Sequence, residues 1–221
     1  AHDVLGALRR IAELRNGSWQ SKEELAEEQE LDFRGDGQRR AAAAVAPPEA
    51  GEEHSYFIAL VARLGEERGY NAYIGKHETE RDAVLRSLSL PELSIAGLDS
   101  STLRSVEQVD VIWLLRRSIP VALFEIENST KFVKGIRRMS DLVVSVPHLT
   151  VKCLVVAPDN QERGLCEALK APSLPEQVRS DDWGYILYTQ LLDFYEHRQI
   201  GYQHNIADLF QAAHNPHRES A

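Results

Sequence analysis

Three carboxylates stand out by type and spacing. Glu125 and Glu127 are two residues apart in IPVALFEIE (119–127). Alternation along a strand puts both on one face near its end, together with Val121 and Leu123. Asp110 lies between Val109 and Val111 in VEQVDVIWLL (106–115), where burying a charge without a partner is costly. Something cationic should compensate it. A strand through Asp110 that turns at Arg116–Ser118 and returns antiparallel would bring Asp110 beside Glu125. Three convergent carboxylates form an all-oxygen site of the kind Mg2+ prefers, with coordinated waters retained as nucleophiles. The spacing alone also fits a plainer arrangement. Glu125 and Glu127 then line the solvated face of an edge strand, and Asp110 pairs with Arg116, Arg117 or a neighbouring lysine. The next segment weighs toward chemistry, because KFVKGIRR (131–138) is wholly basic among its charged residues. Lys131, Lys134, Arg137 and Arg138 beside carboxylates suit a phosphate backbone.

These residues need strands to hold them and helices to cover them. Phe57, Leu60, Val61 and Leu64 recur at helical spacing in EHSYFIALVARLGEER (53–68), which predicts an amphipathic helix. NAYIGKHE reads as a short strand and SLSLPELSIAGLD as a loop. The β-branched and aromatic residues of 106–115 and 119–127 predict two further strands. Phe132, Val133, Ile136, Met139 and Val143 then form one face of a helix over 131–146, with Asn128, Ser129 and Thr130 supplying capping oxygens. TVKCLVVAPD (150–159) reads as a buried strand, QERGLCEALKA as a helix, WGYILYT (183–189) as a last strand and LLDFYEHR as a closing helix. The order predicts an α/β fold, a mixed sheet flanked by helices.

V-D-V-I-W, a turn, then F-E-I-E-N-S-T resembles the core of the PD-(D/E)XK nuclease superfamily, in its E-x-E variant, with Glu127 where lysine usually stands. K-G-I-R-R-M-S-D-L and V-V-A-P-D are similar to a group of restriction-like proteins, and the H-S-Y-F-I-A-L-V-A-R-L-G helix fits the superfamily's first core helix. The resemblance covers residues 53 to 190. It implies a restriction-endonuclease-like mixed sheet and a metal-dependent endodeoxyribonuclease serving restriction, phage defence or repair. It also implies that Asp110 and Glu125 bind Mg2+, with Mn2+ as a substitute and the Ile126 carbonyl as a further ligand. Glu127 would position or deprotonate the attacking water, Lys131 or Lys134 would neutralise charge, and Arg138 would contact phosphate. A carboxylate on the first helix often completes such sites. Tyr56 stands at that position here, which leaves Glu53 as the nearby candidate. Lys76 and His77, at the end of the first strand, are within reach of substrate, although His77 also reads as an ordinary surface histidine. The glutamate at the lysine position supports a second reading, a catalytically degenerate nuclease-fold module for DNA binding or assembly.

Composition narrows the alternatives. The 221 residues, 43% of them hydrophobic, suffice for one main core plus an appendage. Residues 1–48 read as a small helical appendage and linker, and residues 49–221 as the nuclease-like domain. No run reaches the length of a membrane span, and AHDVLGALRR lacks the apolar block of a signal peptide, so a soluble cytoplasmic protein is expected. Cys153 and Cys166 lack the paired spacing of thiolate metal sites, and the eight histidines form no H-E-x-x-H. No phosphate-binding G-x-x-x-x-G-K-[ST] loop and no G-x-S-x-G occurs. A net charge of −9 argues against coating nucleic acid non-specifically, but local patches matter more than the sum. DNA is the expected partner. Cutting both strands would favour a homodimer, because one such site cuts one strand. A partner protein such as a helicase or methyltransferase is the other expectation.

Overall fold

Five strands make one sheet in the order β1-β2-β3-β4-β5: β1 (Asn71–Ile74), β2 (Val111–Leu115), β3 (Ile119–Ile126), β4 (Lys152–Ala157) and β5 (Trp183–Leu187). The computed structural model describes residues 53–128, 132–199 and 206–217. The helical appendage and linker expected over residues 1–48, and the boundary at their end, lie outside the described residues. β1, β2 and β3 pair antiparallel, whereas β4 and β5 join in parallel. Parallel neighbours require crossovers, and these are the helices α5 (Phe132–Ser145) and α6 (Glu162–Leu169). The sheet is therefore mixed and flanked by helices, an α/β architecture consistent with a restriction-endonuclease-like fold.

Strand alternation sorts the core into two layers. Val111, Trp113, Ala122, Phe124, Ile126, Leu154, Val156 and Ile186 face α1 (Glu53–Glu66), α3 (Ala83–Leu88), α7 (Tyr188–Gln199) and α8 (Ile206–Ala212). Ile112, Leu114, Leu123, Cys153, Val155 and Tyr185 face α4 (Ser100–Val106), α5 and α6. The short α2 (Lys76–Arg81) buries none of its residues. The predicted amphipathic stripes are the buried ones: Phe57, Leu60, Val61 and Leu64 on α1, and Phe132, Ile136 and Met139 on α5. The Trp113 indole Nε1 donates to the Val61 carbonyl at 3.0 Å, tying α1 to the sheet. Gly65 permits that approach, since a Cβ there would lie 2.4 Å from Nε1.

Several boundaries differ from the sequence reading. The strand expected over 106–115 begins only at Val111, because Ser100–Val106 is helical, capped by Asp99 through the amides of Ser101 and Thr102. Asp110 therefore stands just before the strand. NAYIGKHE ends as a strand at Ile74, and KHE opens α2. Tyr188 and Thr189 belong to a helix rather than to the last strand. The Arg116–Ser118 turn forms as expected, with Arg116 and Arg117 in the left-handed region at φ 50° and 63°. Both edges of the sheet are covered, which removes the hazard of open strand edges. Ser89 Oγ accepts from the Ile74 amide at 2.8 Å, and Leu90 N donates to the Ala72 carbonyl at 2.8 Å. On the far edge, Tyr185 and His214 exchange backbone hydrogen bonds of 2.9 and 2.8 Å.

Candidate functional site

The hairpin register pairs Val111 with Phe124, so one step further Asp110 stands opposite Glu125 on the same face. Asp110 Oδ2 accepts the Ile126 amide at 2.7 Å. Its own carbonyl accepts the Gly75 amide at 3.0 Å. Gly75 is glycine for a packing reason: a Cβ would lie 2.8 Å from the Val109 carbonyl oxygen. Glu125 is held from α5. Arg138 Nε donates to its Oε1 at 3.0 Å and Nη2 donates to its Oε2, a two-pronged guanidinium–carboxylate pair. Gly135, one turn before Arg138, makes room for that carboxylate, because a Cβ would lie 2.8 Å from Oε2.

Both acids are buried, Asp110 with 7% and Glu125 with 3% exposure. Burial is the main force on each. It pushes the Asp110 carboxyl up to about 6, against the charges of His54 and Arg138 and the Ile126 hydrogen bond. It pushes Glu125 up to about 8, assisted by the charge of Asp110 and opposed by Arg138. The compensating cation expected for Asp110 is thus shared between His54 and Arg138; Arg116 and Arg117 do not supply it. His54, on the first turn of α1, lies 3.7 Å from Glu78 on α2. Burial pulls the imidazole down, but its interaction with Glu78 and the charges of Asp110, Glu78 and Glu127 prevail and leave it raised. Glu78 is lowered chiefly by its contact with His54, against its own burial. One ligand atom each from His54, Glu78 and Asp110 lies within 4.8 Å of the other two. An open cleft lined by His54, Ser55, Glu78, Arg81, Asp82 and Ala83 leads away from this cluster.

Of the residues singled out in the sequence, the structure unites Asp110, Glu125, Ile126 and Arg138. Glu127 follows the end of β3, half-buried, with its amide donating to the Val156 carbonyl at 2.9 Å, and its charge is felt at Glu125, His54 and Arg138. Lys134 and Arg137 are exposed on α5, while Lys131 lies outside the described residues. Lys76 is exposed at the start of α2, and His77 is an exposed histidine 3.2 Å from Arg81. Two expectations need correction. Arg138, expected on phosphate, is engaged by Glu125, since a buried carboxylate draws the nearest guanidinium. Glu53 is exposed, and the first-helix side chain that faces the acids is His54.

His54 and Glu78 went unrecognised as members of the site. Glu78 was hidden by reading KHE as the tail of a strand, although acid in the first turn of a helix is a legible signal. Tyr56, at the expected carboxylate position, turns toward Tyr195 and Glu196, whose charges act on it. The rim near the ends of β3 and β5 carries Tyr188, whose ring stacks on Phe57 at 3.6 Å and whose hydroxyl donates to Asn128 Oδ1. Burial raises the Tyr188 phenol, with the charges of Glu53, Glu127 and Asp110 adding to it, so it stays a proton donor.

A family model described as "Type II restriction enzyme NmeDI C-terminal domain" matches residues 37–208, well over half of the 221-residue chain. The chain belongs to this restriction-enzyme family. The matched span takes in all five strands and Asp110, Glu125, Glu127, His54 and Glu78. It starts inside the segment read as a linker. Membership in the NmeDI C-terminal domain family connects the chain with type II restriction. No curated protein and no solved structure gives a significant match. Among the described residues no helix is long and apolar enough to cross a membrane.

Proposed function

We propose that the chain is a metal-dependent endodeoxyribonuclease of the PD-(D/E)XK type in its E-x-E variant, acting in the cytoplasm in restriction or phage defence. The observation that carries this reading is the buried Asp110–Glu125 pair at the hairpin end, two acids for which burial is unfavourable and which share one Arg138. A divalent cation fits them, because it would offset the burial that raises both pKa values and because hard oxygen donors match Mg2+ or Mn2+.

Asp110 and Glu125, with the Ile126 carbonyl, would hold the ion. Bound there, it would polarise the scissile phosphate and supply a water of lowered pKa. Glu127, one residue past the strand and only half-buried, would orient the attacking water or take its proton, the role its place at the lysine position implies. Lys134 and Arg137, exposed on the same helix, and Lys131 and Lys76 neutralise backbone phosphates and set the register of the duplex. Duplex cleavage then takes two such sites, from a homodimer or a partner protein.

A second reading, a non-cleaving DNA-binding or assembly module, draws on one specific observation. Arg138 already bonds both oxygens of Glu125, so the acid is satisfied without a metal. Incubating supercoiled plasmid, plain and base-modified, with the full chain and Mg2+ or Mn2+ separates the two. Nicked and linear products that disappear with Glu125→Gln support the nuclease. Retarded but uncut DNA with every ion supports the module.

A further inference from the structure

We infer that Tyr188, Asn128 and Gln161 form a clamp that orients Glu127 toward the attacking water, making all three positioning residues for the proposed cleavage. This role rests on the nuclease reading, which gives Glu127 its task. Glu127 stands one residue beyond the end of β3, where the sheet alone would fix it weakly. Its amide donates to the Val156 carbonyl at 2.9 Å, continuing the ladder toward β4. On its other side Asn128 is gripped twice. The Asn128 carbonyl accepts from Gln161 Nε2 at 2.9 Å, and its side-chain Oδ1 accepts from the Tyr188 hydroxyl. The backbone is therefore anchored on both sides of the Glu127 Cα, by β4 before it and by the segments that follow β4 and β5 after it.

The anchoring groups are themselves fixed. Tyr188 is buried and opens α7, and its ring stacks on Phe57 of α1 at 3.6 Å. The start of α7 is capped from two sides. Gln190 Oε1 accepts the Leu187 amide at 3.0 Å, and the Asp159 carboxylate accepts the amide and hydroxyl of Thr189. Asp159 and Gln161 belong to one short 3-10 turn after β4, so the turn that steadies Tyr188 also grips Asn128. Packing accounts for the Tyr188 ring, since phenylalanine would stack on Phe57 as well. It does not account for the hydroxyl, which reaches out of the core to an exposed side chain. A single hydroxyl bond of that kind adds little to stability. It does define where the neighbouring Glu127 points, and a small misplacement of a reacting group costs a large factor in rate. Glu127 is also near enough for its charge to act on the Tyr188 phenol, so the hydroxyl and the carboxylate share one rim.

The test combines single-turnover cleavage of supercoiled plasmid with Mg2+ by the full chain, a separate measurement of plasmid affinity, and hydrogen exchange of the Glu127 amide followed by NMR. Tyr188→Phe keeps the ring stack. In it we expect the cleavage rate to fall roughly tenfold to a hundredfold, at unchanged DNA affinity and nearly unchanged melting temperature. Asn128→Ala should lose a similar factor, and the double variant no more than either single one, because the two residues share one bond. Exchange at Glu127 should speed up roughly tenfold in both. A Tyr188→Phe protein that cuts at the wild-type rate, or whose loss lies wholly in DNA affinity, would overturn the clamp and leave the nuclease reading standing. Losses that multiply in the double variant would overturn it too. A wild type that cuts no DNA, while Glu127 exchange still speeds up in Tyr188→Phe, would overturn the nuclease reading and keep the anchoring of Glu127. Asn128 is exposed, so Asn128→Ala serves where Tyr188→Phe folds poorly.

Discussion

Asp110 is where binding and stability pull in opposite directions. An acid whose pKa is raised by folding keeps its proton in the native state at pH values where the unfolded chain has lost it. Stability contributed at Asp110 is therefore present below the ordinary aspartate range and is lost as pH rises toward about 6. Asp110→Asn removes the charge and keeps an oxygen for the Ile126 amide. We expect it to abolish metal uptake while raising the stability of the metal-free protein at pH 7 by roughly 1–2 kcal/mol, read by urea unfolding in a chelator. A loss of stability instead would mean that the Asp110 charge holds the fold together. Arg138 gives the opposite case. Arg138→Ala leaves a buried carboxylate unpaired and should cost about 3 kcal/mol, with Glu125→Gln in the same chain restoring much of it. A double-mutant cycle showing no coupling would contradict the two-pronged pair.

At the level of elements, α5 is both wall and candidate DNA face. Gly135 sits in its interior only because the Glu125 carboxylate lies against it. Gly135→Ala should gain up to about 1 kcal/mol of helix propensity yet displace Glu125, so cleavage should fall with the melting temperature little changed. Equal activity in this variant would show that Glu125 has space to spare. The strands and long helices were legible because alternation and helical stripes follow directly from burial, as Val111–Leu115 and Phe132–Met139 illustrate. The Asp110–Glu125 meeting was legible too, since a short turn at Arg116–Ser118 leaves an antiparallel register little freedom. His54 and Glu78 were not, because their convergence depends on how α1 and α2 dock across the sheet end, through Gly75 and the 107–110 turn. Nothing in local periodicity encodes that docking. Arg138 was misread for a related reason: its helix position was plain, but the sequence does not say that Glu125 points inward to claim it.

For the whole molecule, a net charge of −9 means that DNA must be met by a local patch. Lys134→Ala with Arg137→Ala should weaken binding to all sequences alike and flatten the log–log salt dependence by roughly 2. An unchanged salt slope would place the DNA on another face. The sheet, covered by helices on both faces, holds the proposed site at one end, where β3 ends and β2 begins, and the match to a type II restriction-enzyme family takes in all five of its strands. The measurement that bears most directly on the account is cleavage of supercoiled plasmid with Mg2+ by the full chain beside Asp110→Asn, both shown to be folded. We expect nicking and linearisation by the first and none by the second. Cutting that survives in Asp110→Asn, or a folded wild type that binds Mg2+ and leaves every DNA substrate intact, would contradict it.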